Sequence, residues 1–343
     1  PVVPSPRQYG YRRKVTPHLQ MPPPTGSKPR RLERSSKGWV SAASERRDLS
    51  GEDGSDWGDL ALGPLGYLEQ VARERTPNGH WWKRVVDVTT CPVATDAING
   101  ALPEARDHVR ARRGPFSLLL RHTELDGVTS ERGRVVRENV PGIGRFFFRA
   151  GGFFQSNLSI LPALVHHVVD AATAQWAEGG GVDDGPEVLV DAYCGVGLFS
   201  LAAGPRVRRV IGLELDKDAV RLAKRNAAAH GTPNATFLPL SVEEGLDGLA
   251  AMANPSSTSM VIDPPRAGLS DVALGALLAF GPRRITYVSC DCSTQSRDLR
   301  SITAAGYSVA KVTPFDMFPQ SNHIEVVAVL ERSAGVAEKL FVA

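Results

Sequence analysis

Between residues 187 and 332 the chain alternates short apolar runs with helical segments, and this pattern limits the fold more than any other feature. The runs EVLVDAY, RRVIGLEL, ATFLPL, SMVIDPP, RITYVSC, YSVAKVTPF and HIEVVAVLER are rich in β-branched residues. Segments such as KDAVRLAKRNAAAHG and STQSRDLRSITAAG lie between them and have helical spacing. Strand, helix, strand in alternation predicts a mostly parallel sheet covered on both faces. Only DMFPQSN separates the last two runs, too little for a crossover helix, so they are expected to form an antiparallel hairpin. The expectation is an α/β fold with a Rossmann-like, seven-stranded sheet.

Ahead of this region LSILPALVHHVVDAATAQWA predicts a helix that Gly179 to Gly181 end. The first ninety residues are rich in Pro, Gly, Ser and charge and predict long loops, with one short strand in YGYRRKVTPHL. RVVDV, FSLLLRHT, GRVVREN and GRFFFRA predict strands, and CPVATDAINGAL the start of a helix. Two domains are therefore expected: a smaller α+β region over 1–147 and the α/β domain over 148–343. A length of 343 residues allows each its own core. The chain starts at Pro1 rather than at a methionine, which predicts a segment upstream.

No apolar run approaches the ~20 residues that a membrane helix needs. Four cysteines are too few for a secreted disulfide framework, so a reducing, intracellular compartment is expected, whether cytoplasm, nucleus or organelle. Residues 1–50 hold eleven Lys or Arg against three acidic residues, on a chain whose net charge is only +3. A basic arm on a mildly acidic body suggests a polyanionic partner, although a solvated tail would have the same composition.

In open α/β sheets ligands bind beyond the carboxyl ends of the strands. Those ends here collect Tyr193 with CGVG, Glu214, Asp263 with PPRAG, and Cys290. Gly195 and Gly197 permit close backbone approach, but Ser200 stands where a dinucleotide fingerprint has its third glycine. A carboxylate ending the second strand suits ribose hydroxyls, which implies a nucleoside-containing cofactor, NAD or S-adenosylmethionine; a helix cap would explain Glu214 equally well. The two prolines after Asp263 fix a rigid corner. The Cys290-Asp291-Cys292 triplet leaves three readings: half a metal site, a redox pair, or one reactive thiol beside a bystander.

GGFFQSN, DAYCGVGLFS, IGLELDKDAV, VIDPPRAGL, YVSCDCSTQSRDL and FDMFPQSNHIEVV, in this order, resemble the RNA uracil-5-methyltransferase family. The likeness is strongest to the eukaryotic-like branch that methylates the T-loop uridine of tRNA, and it covers 148–332. It implies a class I methyltransferase fold, S-adenosylmethionine as cofactor and RNA, chiefly tRNA, as partner. By the same resemblance Cys290 takes the place of the nucleophile and Glu325 that of the proton acceptor. Gln155, Tyr193, Glu214 and Asp263 fall where the family contacts S-adenosylmethionine. No metal is implied. With only Cys91 upstream no iron–sulfur cluster is expected, and His323 is expected to shape a turn.

The chemistry agrees with that residue set. Carbon 5 of uracil is a poor nucleophile; a thiolate adding to carbon 6 turns the ring into an enolate, and a base must later remove the carbon-5 proton. Where the family usually has Asn after the nucleophile, this chain has Asp291, whose carboxylate is expected to raise the thiol pKa. Phe153, Phe154, Arg266 and Phe315 are candidates to stack on an unstacked base, although buried core is the safer assignment for any one phenylalanine, and Arg12, Arg13, Lys14, Arg145 and Arg149 are candidates to contact an RNA backbone. Two other classes compete: a catalytically impaired RNA-binding or tRNA-folding protein of this fold, and a nicotinamide-dependent oxidoreductase. The incomplete glycine fingerprint counts against the latter.

Overall fold

Seven strands form the central sheet, and its elements are numbered here in chain order. The strands are β1 (Val188–Ala192), β2 (Arg209–Leu213), β3 (Ala235–Leu238), β4 (Thr258–Ile262), β5 (Arg284–Ser289), β6 (Tyr307–Phe315) and β7 (Glu325–Arg332). The helices are α1 (Leu161–Thr173), α2 (Leu198–Ala203), α3 (Lys217–His230), α4 (Val242–Asp247), α5 (Asp271–Phe280) and α6 (Cys292–Ala304). The computed structural model describes residues 1–19, 65–75, 81–110, 116–176 and 185–332.

The strand order is β3-β2-β1-β4-β5-β7-β6, with β7 antiparallel to both neighbours and the other pairings parallel. The predicted alternation and terminal hairpin are both present. Side chains alternate between two cores, as the two-residue period of a strand requires. Leu189, Val261, Val288 and Val327 point to the face covered by α1, α2 and α3. Val190, Ile262, Tyr287 and Ala328 point to the face that α4 and α5 cover.

Helix α1 ends at Thr173, ahead of the glycines expected to end it, which lie outside the described residues. Ala174 is already extended, and the reason is a buried cation. Arg284 of β5 donates to the carbonyls of Ala171, Ala174 and Gln175 at 3.1, 2.6 and 3.1 Å and pairs with Glu331 at 2.6 Å. A guanidinium satisfies carbonyls that the last helical turn leaves without an intrahelical donor.

Packing divides the chain into two compact units. One contains Pro1–Val15, Cys91–Gly100 and the chain from Leu119 onward. Besides the large sheet it holds a three-stranded sheet, in which Leu120–Thr123 lies between Lys14–Val15 and Gly127–Thr129, and the hairpin of Val135–Val140 with Gly144–Arg149. The other unit, Thr16–Thr90 with Ala101–Leu118, has an antiparallel sheet in the order Trp81–Asp87, Leu65–Arg75, His18–Leu19, Phe116–Ser117. The expected strands at FSLLLRHT and YGYRRKVTPHL are each interrupted into two short pieces.

Candidate active site

The turn after β1 is built from backbone geometry. Tyr193, Gly195 and Gly197 have φ of 65°, 54° and 90°. At Gly197 an added Cβ would come within 3.1 Å of the Phe237 ring, so glycine is required there for space as well as conformation. At Gly195 an added Cβ would meet nothing within 4 Å, so there is open space beside it. Glu214 braces this turn: its carboxylate accepts from the Gly195 N–H at 3.0 Å and from the Asp216 N–H at 2.7 Å. Asp216, not Glu214, caps α3. Ser200, in place of a third glycine, donates from its N–H and hydroxyl to buried Asp191 at 2.9 and 2.5 Å. Burial pushes the Asp191 carboxyl up to about 7, against the Ser200 hydrogen bonds that hold it down.

Left-handed backbone at Tyr193 breaks the strand alternation. Its side chain packs on the α4 and α5 face, with Glu243 and Asp298 as neighbouring charges, and burial pushes its hydroxyl up to about 12. Asp263 keeps the alternation and continues the Val261 face. Of the four residues assigned to the cofactor, Glu214 and the Tyr193 turn are thus joined through Gly195. Asp263 lies toward the thiol, and Gln155 is buried between Phe154 and Asn157. A carboxylate at the end of β2, open space at Gly195 and a carboxyl ending β4 fit a ligand with ribose hydroxyls and an amino group.

At the other end of this edge the β5–β7 ladder sets the geometry. Its last pair is Ser289 with Val326, so the next step of the same register puts Cys290 opposite Glu325. Directly opposed residues in an antiparallel pair share a face and have Cα atoms roughly 5 Å apart. Both continue the face of Val288 and Val327. Gln295 of α6 locks this end, donating to the carbonyls of Tyr287 and Val326, each at 3.1 Å.

Three acidic groups and one cation meet here. Burial pushes the Cys290 thiol up, Glu325 and Asp263 add to the shift, and Arg266 opposes it through its charge and a hydrogen bond. Burial pushes Glu325, only 3% exposed, up to about 8; Asp263 adds to this and Arg266 again opposes. Asp263 is raised to about 7 by burial and by Asp191. At neutral pH the cluster therefore retains protons that exposed groups would lose.

The loop bearing Arg266 is gripped by α6. Thr294 Oγ1 donates to the Arg266 carbonyl at 3.0 Å, and Arg297 Nη2 to those of Ala267 and Leu269 at 2.9 and 3.1 Å. Asp298 accepts from the Leu269 N–H at 2.9 Å and the Tyr287 hydroxyl at 2.7 Å. Gly268, at φ +76°, leaves 2.6 Å between a Cβ and that same Asp298 oxygen.

Asp291 does not act as the sequence suggests. Its carboxylate turns to α6 and accepts from the N–H groups of Ser293 and Thr294 at 3.0 and 3.1 Å, an N-cap. What raises the thiol is burial, Glu325 and Asp263. Cys292 is exposed at the first position of that helix, while Cys91 and Cys194 are buried.

Among the stacking candidates, Phe154 and Phe315 belong to the core, and Phe154 stacks on Phe148 with ring centres 4.4 Å apart. Phe153 is 74% exposed and Arg266 is exposed. The turn before Phe153 is fixed by two cations. Lys14 donates to the carbonyls of Gly151 and Gly152 at 2.9 and 3.0 Å, and Arg121 to those of Ala150 and Gly152 at 3.1 and 2.9 Å. Lys14 is therefore occupied within the fold. So are Arg13, paired with Glu124 and Glu138, and Arg149, paired with Asp218. Arg12 is the exposed member of its basic run. Sequence reasoning missed Asn157, which donates to the Met317 carbonyl at 3.1 Å, and Tyr11, which donates to that of Pro319 at 2.9 Å. Together they pin the loop that leads into Glu325.

The family model for tRNA (Uracil-5-)-methyltransferase matches residues 145–333, which contain the whole of this sheet and edge. The chain belongs to that family. It is 33% identical over 340 residues to the tRNA (uracil(54)-C(5))-methyltransferase of Schizosaccharomyces pombe, covering 96% of this chain and 55% of that protein. To the protein of the same name from Saccharomyces cerevisiae it is 29% identical over 378 residues, covering 96% of this chain and 54% of that protein. The chain thus spans about half the length of the curated relatives it matches. Among solved structures, the Pyrococcus abyssi tRNA (uracil-54, C5)-methyltransferase in complex with S-adenosyl-L-homocysteine shares its fold, with a TM-score of 0.63 at 20% identity, over 96% of this chain and 78% of that one.

Proposed function

We propose that this family member methylates carbon 5 of a uridine in RNA, most simply the T-loop uridine of tRNA, through a transient bond between Cys290 and carbon 6. The observation that carries this reading is the register, whose next step sets Cys290 opposite Glu325, with the Arg266 charge acting on both. The names of the yeast relatives support tRNA as substrate. Bound S-adenosylmethionine would supply an electrophilic methyl group, and Glu214, the Gly195 backbone, Asp263 and Gln155 would hold it.

In this scheme Cys290 attacks as a thiolate, and Arg266 offsets the cost of its charge. Glu325 titrates high, so it must first lose its own proton to solvent before it can serve as the base. Once carbon 5 is methylated, Glu325 accepts the carbon-5 proton, and the electron pair of the broken C–H bond re-forms the ring double bond as the sulfur leaves carbon 6. Both acids titrate high, so turnover rises as pH increases through neutrality. The exposed Phe153 would stack on the unstacked base.

Incubation with S-adenosylmethionine and tRNA containing 5-fluorouridine tests the scheme. Fluorine cannot leave as a proton, so a denaturation-resistant protein–RNA adduct should accumulate, and Cys290→Ala should abolish it. Tight tRNA binding by wild type with no adduct would instead favour a binding protein that has lost turnover.

A further inference from the structure

We propose that His323, as a neutral imidazole, is the positioning residue that holds the Arg266 guanidinium against Cys290 and Glu325. The proposal rests on the assignment of Cys290 as nucleophile. Its starting point is one contact: Arg266 Nη2 lies 3.3 Å from His323 Nε2. A guanidinium only donates, so Nε2 is the bare nitrogen and the ring proton sits on Nδ1. A doubly protonated ring would set two cations against each other with no acceptor between them.

The surroundings support this role. Arg266 is exposed and its long side chain would otherwise sample many rotamers, although α6 fixes its backbone. His323 is itself anchored: its N–H donates to Ser321 Oγ at 3.3 Å, and its ring meets Phe318 edge-on. The charged groups around it are Arg266, Arg12 of the N-terminal segment and Asp291 at the start of α6. Burial and the two arginines hold its pKa down and Asp291 opposes them, so the ring is neutral at pH 7. The loop that delivers Glu325 thus also delivers, two residues earlier, the group that places its counter-charge. A residue that only shapes the turn would have no influence on the thiol.

The test reads thiol reactivity without RNA. In the full chain with Cys292→Ser as background, the reaction of Cys290 with methyl methanethiosulfonate is followed by mass spectrometry from pH 5 to 9. His323→Ala should slow it roughly five- to tenfold at pH 7, because a cation a few ångströms away commonly shifts a pKa by about a unit or more. His323→Gln, whose amide oxygen can accept from Arg266, should stay within about twofold of the background, taken as the size of a modest change in geometry. Below pH 6 the background rate should fall more steeply than one ionisation allows, and the Gln variant should lack that extra slope. Arg266→Gln should match His323→Ala, and combining the two should add little. Equal rates in His323→Ala and background would overturn the proposal, as would equal loss in the Ala and Gln variants with unchanged melting curves. Should the Ala variant fail to fold, the slope of the Gln variant decides. A missing 5-fluorouridine adduct beside this reactivity pattern would remove the methyltransferase reading and leave the role of His323 standing.

Discussion

The two ends of the sheet edge are built on opposite plans. After β1 and β2 the polar groups answer to backbone: Glu214 binds two main-chain N–H groups, Ser200 binds Asp191, and two glycines and one tyrosine occupy left-handed conformations. After β4 and β5, and at the start of β7, side chains answer to each other: the thiol and the Glu325 carboxyl share the Arg266 cation, and the Asp263 carboxyl acts on both. The first plan gives a fixed shape for a ligand that binds and leaves unchanged in outline. The second leaves protons loosely assigned, which suits groups that must exchange them. A rigid cradle and an electrostatically frustrated cluster can sit on one scaffold because the sheet fixes both.

The largest expected effect falls on the second plan. Glu325→Gln should lower turnover on tRNA by at least about 100-fold, the usual loss on removing a general base, and let the covalent adduct accumulate on ordinary tRNA. Alkylation of Cys290 should move the other way. Below pH 7 Glu325 is already protonated and the variant should match wild type; above pH 8 wild type carries a charge that holds the thiol up, so the variant should react faster. A thiol profile identical at every pH would show that the two groups do not share a field.

Gly197→Ala probes the first plan. Forcing a side chain into φ 90° against Phe237 should cost roughly 1–3 kcal/mol in thermal or denaturant unfolding and weaken S-adenosylmethionine binding in calorimetry. The Cys290 pH profile should be unaffected, and a shift there would break the separation between the two ends. Smallest is Asp291→Ala, expected to cost about 1 kcal/mol of stability as a lost N-cap while changing thiol reactivity little. Asp291→Asn should retain most of the stability. A large change in thiol reactivity in either variant would restore the carboxylate to the role its sequence position suggests.

Much of this was legible in the sequence. The alternation of runs gave the sheet, and the seven-residue DMFPQSN link gave the hairpin, because chain length alone forbids a parallel return. Strand-end positions collected Glu214, Asp263 and Cys290, and the hairpin brought in Glu325. The misjudged residues had competing local explanations. Asp291 reads in sequence as a charge beside a thiol, although an Asp followed by a helical segment is an N-cap signature. Phe315 and Phe154 lie in the core, the safer assignment for any one phenylalanine, because a single aromatic has no period to mark it as exposed. The end of α1 depended on Arg284, more than a hundred residues away, and no local pattern reports such a partner. His323 stands out in the sequence as a turn residue, but its contact with Arg266 spans 57 residues and exists only once both loops are folded.

Reversal of the single strand β7 has a consequence for how this protein can change. In a parallel strand the functional residue follows the ladder, and loop variation can move it; Glu325 instead heads its strand and is indexed to Cys290 by six successive pairs. Deleting or inserting one residue anywhere between Val326 and Arg332 would slide the start of the strand and turn its carboxylate to the opposite side of the sheet. The distance between sulfur and carboxylate is therefore counted out in whole residues, and drift in sequence length cannot adjust it gradually.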